Sequence, residues 1–119
     1  MPFHEGRPAT TPDRLMRSRF SAYAIGLTEY VIRTTAPGSP AWSDDRAAWA
    51  ASIDRFSTAT RFAGLRVEPG PIDGHRAQVT FQATLSQHGH DASFAEQSTF
   101  VLRDGAWLYH GGTRLPSAQ

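Results

Sequence analysis

The chain contains no cysteine, no lysine and no apolar run long enough to cross a membrane. The missing cysteine excludes a disulfide framework and any thiolate metal site. The missing lysine leaves arginine as the sole basic residue type, which reads as a compositional bias of the source rather than a functional mark. Twelve basic residues face eleven acidic ones, for a formal charge of +1. The arginines are scattered among acids and form no basic run, so no surface is built to track a phosphate backbone and no nucleic-acid partner is expected. The opening MPFHEGRP has no apolar leader core, and with no membrane segment a cytoplasmic location is the expectation. There is no glycine-rich phosphate loop and no G-x-S-x-G elbow. Of the histidines, His88 and His90 fall on a predicted hairpin tip and His110 on an outward strand position, so neither a metal nor another cofactor is expected.

What remains is enough for one core. The 119 residues are 39% hydrophobic and hold three Trp, three Tyr and seven Phe, which fits a single domain over residues 1–119. Residues 1–10 read as an extended arm and 114–119 as a frayed tail. The organising stretch is TPDRLMRSRFSAYAIG, from Thr11 to Gly26. Thr11 is placed to cap a helix, Pro12 suits its first position, Asp13 suits the dipole, and Gly26 suits a left-handed C-cap. Helical spacing gathers Leu15, Met16, Phe20, Ala22, Tyr23 and Leu27 on one side, with Arg14, Ser18 and Ile25 opposite and Arg17 at the edge. Arg19 breaks the pattern by projecting from the apolar face, where a charge must be paired or face a wet cavity.

A short helix is predicted from Glu29 to about Thr34, capped by Thr28, and a third helix capped by Ser43 that turns Trp49, Ile53 and Phe56 inward. From about Thr60 the period changes to two. Strands are predicted over 61–68, 77–86, 92–103 and 106–110, with turns at Pro69-Gly70-Pro71, Asp73-Gly74, 87–91 and Asp104-Gly105, and with Gly111-Gly112 closing the last strand. In the second strand Ala77, Val79, Phe81, Ala83 and Leu85 alternate with Gln78, Thr80, Gln82, Thr84 and Ser86. Helices followed by an antiparallel meander make an α+β domain, one sheet face on the helices and the other in water. That wet face predicts a monomer or weak dimer.

A second anomaly lies in the third strand, where Glu96 and Ser98 share a face with Phe94, Phe100 and Leu102. A direct, buried Arg19–Glu96 ion pair is the expected solution. It would serve either to fix the helix on the sheet or as the polar floor of a ligand pocket, with Ser98 and Tyr109 adding hydroxyls.

The run Leu15-Met16-Arg17-Ser18-Arg19-Phe20-Ser21-Ala22-Tyr23 closely resembles the LMRSRYSAY signature of the YchJ-like family of bacterial proteins. Tyr30 to Thr34 resembles that family's Y-L-x-x-T segment, and Phe62-Ala63-Gly64-Leu65 its W-x-G-L strand. Glu96-Gln97-Ser98-Thr99-Phe100 resembles E-R-S-x-F with Gln at 97. Asp104-Gly105 through Tyr109 resembles N-G-x-W-Y-Y, and Gly112-Thr113-Arg114 the G-T-R that follows. The resemblance implies a cystatin-like, nuclear-transport-factor-2-like roll, with helices in the concave face of a bent four-stranded sheet that often encloses a conical cavity. It also groups Arg17, Arg19, Glu96 and Ser98 as one constellation. Members of the family carry cysteine-rich SEC-C zinc motifs beside this domain. Pro2 to Gly6 resembles the segment downstream of the first such cluster, but the cysteines are missing, so the resemblance implies a short form or an absent N-terminal piece and no zinc is carried over.

Two functions follow as expectations. The first is a non-catalytic binding or adaptor domain for a small molecule or protein, with contact residues Arg17, Arg19, Tyr23, Glu96, Ser98, Trp107 and Tyr109 and no catalytic residue. The alternative is a small-molecule enzyme of isomerase or dehydratase type, of the kind this fold hosts. A filled core favours the first; a cavity of about 300 Å³ or more with Glu96 at its floor favours the second. A carboxylate locked in an ion pair is a poor general base, which weighs toward binding.

Overall fold

The computed structural model describes residues 11–116. Helix α1 spans Pro12–Ile25, α2 Thr28–Arg33 and α3 Arg46–Ala59; strands β1 Thr60–Asp73, β2 Arg76–Gln87, β3 His90–Asp91, β4 Phe94–Arg103 and β5 Ala106–Arg114 follow. All pairings within the sheet are antiparallel, in the order β1-β2-β4-β5, with the two-residue β3 beside β2. The sheet therefore has five strands where four were expected; β3 forms because His88 and Gly89 both take positive φ, of 51° and 80°, and return the chain onto β2.

Helix α1 begins after Thr11 and ends at Gly26 in the left-handed region, as its sequence predicts, but the Thr11 side chain makes no capping bond. Leu15 and Met16 pack on the sheet against Val79, Phe81, Phe100 and Trp107. Ala22 packs with Tyr30, Val31, Ile32 and Ile53 between the three helices. Helix α1 is thus covered from two directions. This explains why Ser18, expected on the solvent side, is fully buried: α2 lies over it, and its hydroxyl bonds the Leu15 carbonyl and meets the Tyr30 hydroxyl at 2.5 Å. Thr28 is inside α2 rather than capping it, and its hydroxyl bonds Asp54 of α3. The cap of α3 is Asp45, not Ser43: its carboxylate accepts from the Ala48 amide at 3.0 Å.

The alternation in β2 is seen directly, with Ala77, Val79, Phe81, Ala83 and Leu85 buried and Gln78, Gln82 and Thr84 exposed. Strand β1 is longer than expected because Pro69-Gly70-Pro71 does not end it. The segment is absorbed as a register shift between Pro69 and Ile72, and a second shift lies between Phe62 and Gly64. Such bulges bend and twist a strand, which lets the sheet wrap its apolar face around α1. The Asp104-Gly105 turn has φ of 52° and 79°, the mirror-type geometry that matches strand twist. Strand β5 continues through Gly111 and Gly112 to Arg114, and the Leu115 amide bonds the Ala95 carbonyl, so the expected fraying does not begin at 114. The segment after α2 also joins this strand: Thr34 and Ala36 exchange backbone bonds of 2.8 Å with Tyr109. The expected arm, 1–10, and residues 117–119 lie outside the described residues.

Asp45→Ala should lower stability by about 1 kcal/mol in chemical denaturation, the usual cost of losing an N-cap. Ser43→Ala should stay within about 0.5 kcal/mol of the parent, because its hydroxyl caps nothing.

Candidate functional site

A cavity of about 340 Å³ lies where α1 and α3 meet the inner face of the sheet. Eight aromatic side chains line it: Phe20, Tyr23, Trp49, Phe56, Phe62, Phe81, Phe94 and Tyr109. Several brace one another edge to face, with ring centroids 5.4 Å apart for Phe20–Phe62, 5.6 Å for Tyr23–Phe56 and 5.6 Å for Phe81–Phe94. Such pairs hold walls in place beyond simple area burial. The charged residues on the lining are Arg19, Glu96 and Arg114.

Arg19 and Glu96 do not form the direct pair expected from the sequence. The Arg19 Nη1 donates to the Val31 carbonyl at 3.0 Å and to the hydroxyls of Thr34 at 2.8 Å and Thr35 at 3.2 Å. These acceptors sit at the C-terminal end of α2, where orphan carbonyls and the helix dipole attract a cation. The guanidinium also lies 4.5 Å from the centre of the Tyr109 ring. Burial lowers the Arg19 pKa from its ordinary value, opposed by Tyr23, Tyr109, Tyr30 and Glu96. Pairing logic that looks only for an acid misses this solution, because a helix end offers acceptors without a charged side chain.

Glu96 is held by its own sheet. Its Oε2 accepts from Ser98 at 2.7 Å and from Tyr109 at 2.8 Å, and its Oε1 lies 3.9 Å from Nε of Arg114, its cross-strand partner. Arg114 in turn stacks 3.6 Å over the Phe94 ring. Room for the carboxylate comes from Gly112: a Cβ there would stand 2.6 Å from the Glu96 carboxyl carbon and 2.8 Å from its Cγ. Burial first, then Glu96, pushes the Tyr109 phenol well above the ordinary tyrosine value, so it remains a hydrogen-bond donor.

Of the seven residues singled out from sequence, Arg19, Tyr23, Glu96 and Tyr109 line the cavity, and Ser98 stands behind Glu96. Arg17 is exposed and Trp107 is buried in the core, and neither reaches the lining. Sequence reasoning gave no site role to Thr34, Thr35, Gly112 or Arg114. The available signal was Gly112 and Arg114 on alternate residues of the last strand, which put an arginine on the face of Glu96 and a gap beneath it. Among the described residues no group of three His, Cys, Asp or Glu side chains could hold a metal ion, and no helix is long and apolar enough to cross a membrane.

Residues 11–112 match the family model described as YchJ, middle NTF2-like domain. The solution structure of a SEC-C motif containing protein from Rhodopseudomonas palustris is similar, with 29% identity and a TM-score of 0.81 over 96% of this chain and 86% of that one. A SEC-C motif containing protein from Psychrobacter arcticus is similar at 27% identity and a TM-score of 0.77, over all of this chain and 72% of that one. A putative calcium/calmodulin dependent protein kinase II association domain from Xanthomonas campestris, at 20% identity and a TM-score of 0.55 over 93% of this chain and 96% of that one, shares the fold alone.

Two outcomes check the geometry. Gly112→Ala should displace Glu96 and destabilise by about 1–3 kcal/mol in denaturant melts, the usual cost of forced overpacking. The pH effect concerns Tyr109, whose folded-state pKa is raised above the ordinary tyrosine value of 10.0. Its contribution is fully present below that unfolded value and declines as pH rises above it, because the folded state then retains a proton that the unfolded state loses. With no lysine titrating in that range, Tyr109→Phe should flatten the fall of melting temperature above about pH 10 relative to the parent.

Proposed function

This chain belongs to the family of the YchJ middle NTF2-like domain, and we propose that it is a non-catalytic binding domain whose aromatic cavity is its ligand site. The open cavity, about 340 Å³ with Glu96 on its lining, meets the size expected above for an enzyme rather than a filled core; what carries the binding reading is that its one acid is already committed, to the Ser98 and Tyr109 hydroxyls. That volume is within the range of small-molecule sites. The partner on this reading is a small molecule rather than a nucleic acid or a membrane. The exposed polar face of Gln78, Gln82, Thr84 and Gln97 offers little apolar area for a tight dimer, in keeping with a monomer or weak dimer.

An isomerase or dehydratase draws on the same observation, since the cavity is large enough and Glu96 lines it. Catalysis of that kind needs a base and a free donor that polarises the substrate carbonyl. Here the Tyr109 and Ser98 hydroxyls both point at Glu96, so the donors nearest the acid are spent on the acid. This favours binding over turnover.

A fragment screen by thermal shift, followed by amide chemical shifts of the labelled chain, tests the reading. Hits should move Phe81, Ala83, Glu96 and Tyr109, and Ala83→Leu, which fills space at a lining position, should weaken them. Hits that move only the outer sheet face and bind Ala83→Leu equally well would dismiss the cavity as the site.

A further inference from the structure

Resting on the cavity as the ligand site, we propose that its ligand is a small carboxylic acid with an aromatic or similarly bulky apolar body, its carboxylate seated on Arg19. Arg19 is only 4% exposed and lines the cavity. Among the described residues its hydrogen bonds all leave from Nη1, and Nε and Nη2 make none. Those nitrogens are not sealed in packed protein either. The fully enclosed side-chain atoms without partners among the described residues are Thr11 Oγ1 and Ser57 Oγ. The spare N–H groups of Arg19 are thus not fully enclosed, and the residue that carries them lines the cavity.

The Arg19 guanidinium also has no carboxylate in hydrogen-bond contact, and Glu96 acts on it only from beyond Tyr109. Its three acceptors are a carbonyl and two hydroxyls, and its aromatic neighbour is the face of Tyr109. A buried cation without an anion is costly, and a guanidinium presents Nε and Nη2 as the two-pronged donor that a carboxylate matches. The lining carries two arginines and one glutamate, a surplus of one positive charge. The one acid is occupied by two hydroxyl donors on Oε2, with Arg114 near Oε1. An amine entering this space would meet Arg19 head on, and a neutral ligand would leave its charge unpaired. The ring-lined walls call for the apolar body.

The test compares three probes of one shape on the whole chain: 2-naphthoate, 2-naphthamide and 2-naphthylmethylamine. Affinities come from calorimetry, and ¹⁵N spectra follow the Arg side-chain Nε–H signals. The naphthoate should bind at least about tenfold more tightly than the amide, with the amine weakest, as expected when an ionic partner replaces a neutral one. The Arg19 Nε–H signal should move and that of exposed Arg17 should not. Equal or tighter binding of the amide or amine overturns the inference while leaving the cavity as a site. Binding of naphthoate with Arg19 Nε–H unmoved also overturns it. Silence from all three overturns it as well, and the cavity reading falls with it only if the wider fragment screen is also silent.

Discussion

The structure depends on one buried guanidinium. Arg19 lies on the inner side of α1, yet its Nη1 reaches the end of α2 and its plane faces Tyr109 of β5. One side chain thereby ties α1 to the end of α2 and both to β5, near the other end of the chain. The arrangement works because the end of α2 has acceptors to give: the Val31 carbonyl is near the helix terminus, and the Thr34 and Thr35 hydroxyls are themselves oriented by bonds back to Tyr30 and Val31. Backbone pairing of Thr34 and Ala36 with Tyr109 brings the same segment onto the sheet edge. Removing the arginine would leave those acceptors buried without their cation and would loosen the junction of helix, loop and strand together.

Glu96 is the complementary node, and it is built separately. It draws its partners from β4 and β5 alone, through Ser98, Tyr109 and Arg114, over the gap left by Gly112. Tyr109 is the hinge between the two nodes: its ring faces the arginine and its hydroxyl faces the acid. Opposite charges that could have collapsed onto one another are each satisfied locally. The space above them, framed by edge-to-face rings that resist closure, stays open.

This arrangement separates scaffold from chemistry. The similar SEC-C motif containing proteins share the roll over nearly all of this chain, but these 119 residues contain no cysteine, so no thiolate ligand for a zinc ion is among them. A shared roll carries no activity with it. On the proposed reading, what this chain offers a ligand is set by the lining, where Arg19 lies beside a ring-walled space.

Residue order alone was enough for the fold class, the principal helix with its Gly26 terminus, the strict alternation of β2, and the anomaly of two charged residues on apolar faces. These are local signals, written in periods of 3.6 and 2 and in turn chemistry. It also identified Arg19, Glu96 and Tyr109 as belonging together. How they are held depends on the packing of the elements around them. Helix periodicity assumes one buried face, so it put Ser18 in water; the second layer formed by α2 buried it. Pairing logic counts charges, so it joined Arg19 to Glu96; a helix terminus, which has no letter in the sequence, took the arginine instead. Turn chemistry ended β1 at Pro69-Gly70-Pro71 and β5 at Gly111-Gly112, whereas β1 absorbed the first as a register shift against β2 and β5 ran on, with Gly112 leaving room for the Glu96 carboxylate. Each difference arises where the partner is a neutral group, a covering layer, backbone or space, and neither local period nor a count of charges carries that information.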